Sequence, residues 1–314
     1  MTSPAAPYPV IAEPFHEGEK ALQHETGAFG TLSVAGPRVI RSFMPDQHRS
    51  FFAQLPWLVV GALDAQGQPR AHALAGPPGF VQSPDPLQLV VRSPLEGLAA
   101  GHPVGLLGIE PHTRRRNRLN GVVSAADGHG FSVQVSQSFG NCPKYIQARE
   151  ATWAGPWAAG AVREAASLDD TARRIIAAAD TFFIATAHPA AHSAAHRGGA
   201  SSHGVDVSHR GGRPGFVRMA EDGSLLVPDY NGNHFFNTLG NIALNPRCGL
   251  LFIDFETGGL LQVAASAELL WEGPAVTAHP GAQRLLVLRV LAMRHALSAL
   301  PLRWGPAALS PVLP

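Results

Sequence analysis

Two stretches of this 314-residue chain carry residues whose types and spacing could do chemistry. Gly204-Val-Asp-Val-Ser-His-Arg-Gly-Gly-Arg-Pro-Gly-Phe216 alternates like a short strand and ends on two glycines flanked by Arg210 and Arg213. Glycine at Gly211 and Gly212 lets the backbone turn and lets a ligand come close to it. The arginine forks match the edge of a phosphate or carboxylate. Pro228-Asp-Tyr-Asn-Gly-Asn-His-Phe-Phe-Asn-Thr-Leu-Gly-Asn-Ile-Ala-Leu-Asn245 places Asn233 and Asn237 ahead of a helical stretch that closes at Asn245-Pro246. A helix start has unpaired N–H groups and the positive end of the dipole, so it favours an anion. Together the two stretches point to a phosphorylated ligand. The competing reading is a hairpin turn and a capped helix with solvated arginines.

Two further segments bear on the same chemistry. In Thr113-Arg-Arg-Arg-Asn-Arg-Leu-Asn120, a strand would turn Arg114, Arg116 and Arg118 to one face and Arg115 and Asn117 to the other. A solvated basic edge strand is the expected fate of at least half of these arginines. Gln137-Ser-Phe-Gly-Asn-Cys-Pro-Lys-Tyr-Ile-Gln147 is dense in polar and aromatic groups. It reads as a segment that lends Asn141 and Lys144 to a shared site, or else as a helix start capped by Asn141. No paired-carboxylate motif, Gly-x-Ser-x-Gly or catalytic-cysteine signature is present. Cys142, beside Lys144, reads as structural. His16, Glu17 and Glu19 lack a His-Glu-x-x-His arrangement, and His192 and His196 are flanked by Pro189 and Gly198-Gly199, so no metal site is expected.

The elements that must position these residues read as strands more than helices. Strands are expected at Trp57–Leu63, Gln68–Ala75, Leu87–Arg92, Val104–Ile109, Thr113–Val123, Phe131–Val135, Thr181–Thr186, Phe216–Met219, Leu225–Val227, Cys248–Asp254 and Leu260–Leu270. Helices are expected at Glu17–Thr26, Pro45–Leu55, Pro94–Ala100, from Asp169 (with Ser167 as cap) to Ala179, and at Gln283–Ala299. Many short strands with few helices indicate a mostly β, α+β barrel architecture. Gly105-Leu-Leu-Gly-Ile-Glu-Pro-His-Thr113 and Gly249-Leu-Leu-Phe-Ile-Asp-Phe-Glu-Thr257 share a pattern, as do Gly76-Pro-Pro-Gly-Phe80 and Gly212-Arg-Pro-Gly-Phe216. Two copies suggest a tandem duplication of one barrel domain. The division would be an N-terminal arm with a short helix (1–40), a first barrel domain (41–155), a second (156–305) and a tail (306–314).

The totals agree with this class. Hydrophobic residues are 45%, charged residues 15% and the formal net charge is +1, so no basic field calls for nucleic acid or an anionic membrane. No apolar run approaches the roughly 20 residues that span a bilayer. The start of the chain lacks a basic end and an apolar core, so a signal peptide is not expected and the chain reads as cytoplasmic.

The strand with its Gly/Arg turn, the helix ending in Asn245-Pro246 and the following Gly249-Leu-Leu-Phe-Ile-Asp254 strand resemble the pyridoxamine 5′-phosphate oxidase superfamily of FMN-binding split barrels. From about His16 to Trp304 the chain is similar to its two-barrel members, which implies tandem split β-barrels forming an intramolecular pseudo-dimer. The resemblance implies an FMN-dependent oxidoreductase with the flavin at the interface of the two barrels. It also implies a small-molecule substrate, an electron donor or acceptor, and a monomeric pseudo-dimer or homodimer. Matching the family's phosphate-holding positions are Ser208 and Arg210 on the strand and Asn237 and Thr238 on the helix, with Thr238 where the family usually has lysine. Gly211, Arg213 and Asn233 stand nearby, and Arg116, Asn141 and Lys144 would face the ring or substrate across the interface. The arginine-rich pyridoxal-phosphate signature is not recognisable, which argues against vitamin B6 oxidation. Deazaflavin or haem are alternative cofactors. For a non-catalytic haem-binding protein, His209 or His234 would be the first axial ligand to consider.

Overall fold

The computed structural model describes residues 8–156, 160–192 and 200–314. His196 lies outside these. Trp57-Leu-Val-Val-Gly-Ala-Leu63 is apolar throughout, and a strand of that composition is stable only when covered on both faces. It forms β1 (Trp57–Leu63), buried along almost its whole length, and its counterpart β10 (Thr181–Ala187) is buried at every position. Each anchors a seven-strand antiparallel array.

Three helices lead into the first array: α1 (Glu17–Glu25), α2 (Phe29–Val39) and α3 (Asp46–Gln54). Then come β1, β2 (Pro69–Ala75), β3 (Val81–Asp85), β4 (Gln88–Val91), β5 (Pro103–Glu110), β6 (Arg115–Asp127) and β7 (Gly130–Gly140), paired in the order β2-β1-β5-β6-β7-β4-β3. After β8 (Ala151–Trp153), β9 (Val162–Ala165) and α4 (Asp170–Ala178), the second array is built from β10, β11 (Val205–Gly211), β12 (Arg218–Met219), β13 (Leu225–Tyr230), β14 (Arg247–Ile253), β15 (Leu260–Leu270) and β16 (Ala282–Ala296). Its order is β11-β10-β14-β15-β16-β13-β12, with β9 added beside β16. Strand for strand the two orders are the same. The remaining elements are α5 (Asn237–Leu244), α6 (Pro274–Thr277) and β17 (Leu302–Trp304), which pairs with β8. The architecture is thus mostly β, as expected, with each path of strands left open among the described residues.

Each sheet has its own apolar core, around Phe51, Phe52, Leu106 and Val133 in the first and Phe182, Leu250, Phe252 and Leu286 in the second. A third cluster joins Trp57, Val59, Leu107 and Ile109 to Phe183, Ala185, Val207 and Leu251, and so cements the halves together. The contact is reciprocal. A Cβ on Gly105 would lie 2.7 Å from the Val205 oxygen, and one on the equivalent Gly249 would lie 2.2 Å from the Pro69 oxygen. Glycine at these two positions lets β5 pack on β11 and β14 pack on β2, the self-complementary exchange seen at two-fold interfaces. The two Gly-Pro turns also match: Phe80 N–H bonds Pro77 O and Phe216 N–H bonds Arg213 O, each at 2.9 Å.

Several expected elements differ. Gln283–Ala299 is not a helix; β16 occupies it, paired with β15 along one side and with β13 and β9 along the other. A short leucine- and valine-rich run cannot be told from a helix by its period, and the unpaired flanks of β15 and β13 decide it. Pro94–Ala100 forms turns instead of a helix, with Gly97 at φ 79°. Helix α2 was hidden by Gly30, Gly36 and Pro37, and α4 is capped by Asp169, which accepts from the Ala172 N–H at 2.8 Å. Residues past 305 are packed: Ala308 bridges Ala148, and the Ser310 N–H donates to Gln147.

Candidate functional site

A cleft of about 860 Å³, part of it open solvent, lies where β6 and residues 141–145 of the first half meet β11, β13 and α5 of the second. Nine of the ten residues singled out from sequence line it: Ser208, Arg210, Gly211, Asn233, Asn237, Thr238, Arg116, Asn141 and Lys144. Arg213 does not. It sits exposed on the turn, because the strand's alternation ends at Gly211-Gly212 and turns its side chain outward. The segment around Cys142 crosses to the second half, where the Tyr145 hydroxyl donates to Asn231 O (2.9 Å) and the Asn233 amide donates to Asn141 Oδ1 (3.3 Å).

Arg118, which the sequence does not single out among the arginines of 113–120, is the hub of the floor. Its Nη1 donates to Asp206 Oδ1 (2.8 Å) and Asn237 Oδ1 (2.9 Å), and its Nη2 donates to Ser208 Oγ. Ser208 Oγ in turn donates to Asp206 Oδ2 and lies 2.6 Å from Thr238 Oγ1. Ser208 therefore has no donor to spare for a ligand. Arg210 pairs with Asp229 at 2.6 Å, and Arg284 approaches the same carboxylate at 3.5 Å. The alternation that puts Arg116 and Arg118 on one face of β6 was the available signal. Arg114 falls outside that face, since it adopts φ 55° before the strand begins.

Four cationic side chains of the cleft, Arg116, Arg118, Lys144 and Arg210, meet two carboxylates, Asp206 and Asp229. Arg116 and Lys144 have no carboxylate partner among the described residues. Burial beside Arg118 pushes the Arg116 guanidinium down to about 9, still charged at neutral pH. Its Nε donates to Cys142 O (3.0 Å) and its Nη1 to His209 Nδ1 (3.1 Å). Four residues that line the cleft also carry a buried nitrogen without a partner: Arg118 Nε, Arg210 Nε, His209 Nε2 and Asn141 Nδ2. Leaving such groups unmade costs roughly 1–3 kcal/mol each, a polar strain concentrated around this cleft. Helix α5 opens here on Phe236 without a side-chain cap, so its first N–H groups stay free for a ligand. Tyr145 (φ 66°), His234 (φ 58°) and Phe236 (φ 61°) all hold left-handed backbone at the cleft, a concentration of strain typical of functional sites.

The two histidines differ in what they can bind. Arginine only donates, so the Arg116 contact fixes the lone pair of His209 on Nδ1 and the proton on Nε2, which leaves Nε2 unable to ligate iron. His234 Nε2 donates to Asn231 Oδ1 (3.0 Å), and its Nδ1 keeps a lone pair without a partner.

A second cluster gathers His16, Glu17 and His188, whose potential ligand atoms lie within 4.8 Å of one another. His203 stacks on His188 at 4.0 Å. Yet His16 Nδ1 accepts from the Gly18 N–H and His188 Nδ1 from the Ala190 N–H. Those contacts place the ring protons on Nε2, the reverse of a metal-ligating imidazole. His188 Nε2 donates to Glu17 at 3.1 Å, so the cluster clamps Glu17.

No protein-family model matches the sequence, and no curated protein does. Among solved structures, HupZ of Group A Streptococcus is similar at 15% identity over 39% of this chain and 90% of its own, with a TM-score of 0.29. A proposed pyridoxamine 5′-phosphate oxidase from Lactobacillus delbrueckii matches at 13% identity over 41% of this chain and 94% of its own, TM-score 0.29. An FMN-binding protein from Syntrophomonas wolfei matches at 11% over 38% and 79%, TM-score 0.27. Likenesses this slight carry no conclusion about the present chain.

Proposed function

We propose that the cleft binds FMN through its phosphate and that the chain is an FMN-dependent oxidoreductase acting on a small molecule, its halves derived from one split-barrel unit by tandem duplication. Arg116 carries the reading: a half-buried guanidinium facing the cleft with no carboxylate beside it. Arg116 stays charged at neutral pH, so the fold leaves that charge for a ligand. The residues fit the group. Arg116, Lys144 and the uncapped start of α5 would hold the phosphate, with Asn141 and Asn233 at their side. Ser208, Thr238 and Asn237 would act through Arg118, whose position they fix. Tyr145, Tyr230, Phe236 and Leu239 offer an apolar wall for a flat ring system. Bound there, FMN supplies hydride or electron transfer, while the protein's share is to hold and orient it.

The test is a parallel titration of FMN and riboflavin, followed by quenching of flavin fluorescence. The reading expects FMN to bind at least about tenfold more tightly, the yield of one or two charge-assisted hydrogen bonds. Equal affinity for the two flavins would overturn the phosphate assignment.

A further inference from the structure

Resting on the reading of this cleft as an anion site, we propose that Glu19 of the N-terminal helix is a positioning residue for it, fixing the Asn237 amide so that its oxygen holds Arg118. Glu19 lies outside the cleft lining and touches no ligand position; it would act through two intermediaries.

The first link is steric. Helix α1 rests on α5 with glycine against glycine: a Cβ on Gly18 would lie 2.3 Å from Gly240 O, and one on Gly240 would lie 2.6 Å from Glu19 N. That approach drives Glu19, the third residue of α1, onto the first turn of α5, where it is 2% exposed. Its Oε2 accepts the His16 N–H at 2.8 Å, closing a capping box, and its Oε1 accepts from Asn237 Nδ2. Burial pushes this carboxyl up to about 8, with Asp206 adding to the rise and Arg118 opposing it. The oxygen facing Asn237 accepts in either protonation state.

The second link is donor–acceptor logic. An amide has one oxygen and one nitrogen. With Nδ2 turned to Glu19, Oδ1 is turned to Arg118, which donates to it at 2.9 Å. A reversed amide would set N–H against N–H, because arginine has no acceptor. Arg118, so held, reaches from β6 of the first half to Asp206 and Ser208 on β11 of the second. Charge and orientation at the anion site thus depend on a helix that precedes both sheets. His16, whose ring Nε2 lies 3.5 Å from Glu19 Oε2, is the remaining titratable group beside it.

The experiment is a donor–acceptor swap. Glu19→Gln can serve the His16 N–H or Asn237 but not both, and Asn237→Asp, compared above pH 8 where Glu19 is ionised, sets an acceptor against Glu19. In the double variant, the amide introduced at position 19 donates to the carboxylate introduced at position 237. That carboxylate also accepts from Arg118, so the relay is rebuilt with its polarity reversed. FMN affinity is measured for the full chain and the three variants, alongside the shift in melting temperature given by inorganic phosphate. Each single change is expected to weaken FMN by about tenfold or more, and the double variant to return within about threefold of wild type. Wild-type affinity in both single variants, or a double variant as weak as the two losses combined, would overturn the relay. A merely structural role would lower the melting temperature without the swap restoring affinity. A wild-type chain that phosphate stabilises but FMN ignores would sink the flavin reading alone, with the swap then read on phosphate. One that binds neither would overturn both.

Discussion

Arg116 and Arg118 stand two positions apart on one strand and serve different ends, because only Arg118 has a counter-ion. Arg118 is closed in by Asp206, Asn237 and Ser208, so it belongs to the fold as much as to the site. Replacing it by leucine would leave Asp206 buried without a cation, a loss of about 3–5 kcal/mol that a thermal or urea melt would show. An unchanged melt would contradict the pairing. Arg116 has no such duty. Arg116→Ala is expected to lower stability by about 1–3 kcal/mol, less than the loss of Arg118, because Cys142 O and His209 Nδ1 lose their donor, while weakening FMN by about ten- to a hundredfold. A large drop in stability with unchanged FMN affinity would assign Arg116 to the fold instead.

At the scale of elements, the close approaches between the halves make the sharpest forecast. Gly249→Ala would press a Cβ against the backbone of β2, at a cost of about 1–3 kcal/mol. Gly30→Ala, on the open side of α2 with nothing within 4 Å, should instead gain about 0.5–1 kcal/mol. Equal effects in equilibrium unfolding would contradict the described packing. Much of this was legible in the sequence. Leu260–Leu270 reads as a long strand, and β15 has those ends; the glycines of the repeated Gly-Leu-Leu pattern mark where the halves touch. The rest depended on partners that local pattern does not name. β16 is a strand because two neighbours need one, and Arg118 is buried because Asp206, 88 residues away, faces it. Glu19 could be seen as a helix-start acid but not as a neighbour of Asn237.

At the scale of the whole molecule, the repeated strand order gives each cleft position a counterpart in the other half, and among the described residues those counterparts lack the cations. The strand registers place Leu260 and Gln262 where Arg116 and Arg118 stand, and His72 where Ser208 stands. The first half also has turns in place of a helix at 94–100. One ligand per chain follows. Acid sensitivity is a property of the whole fold as well. Burial, helped by Arg41 and Arg115, pulls His48 down from 6.5 to about 4. A depressed histidine favours the neutral ring in the folded state, so its stability is present above pH 6.5 and is lost as pH falls from there through about 4. Melts across that window should steepen for the wild type and flatten for His48→Asn; identical profiles would remove His48 from the account. The central claim is tested most directly by a visible absorption spectrum of the protein after FMN is added and the excess removed by gel filtration. The account predicts a retained flavin spectrum at one FMN per chain, lost in Arg116→Ala. A colourless wild-type protein, or two flavins per chain, would contradict it.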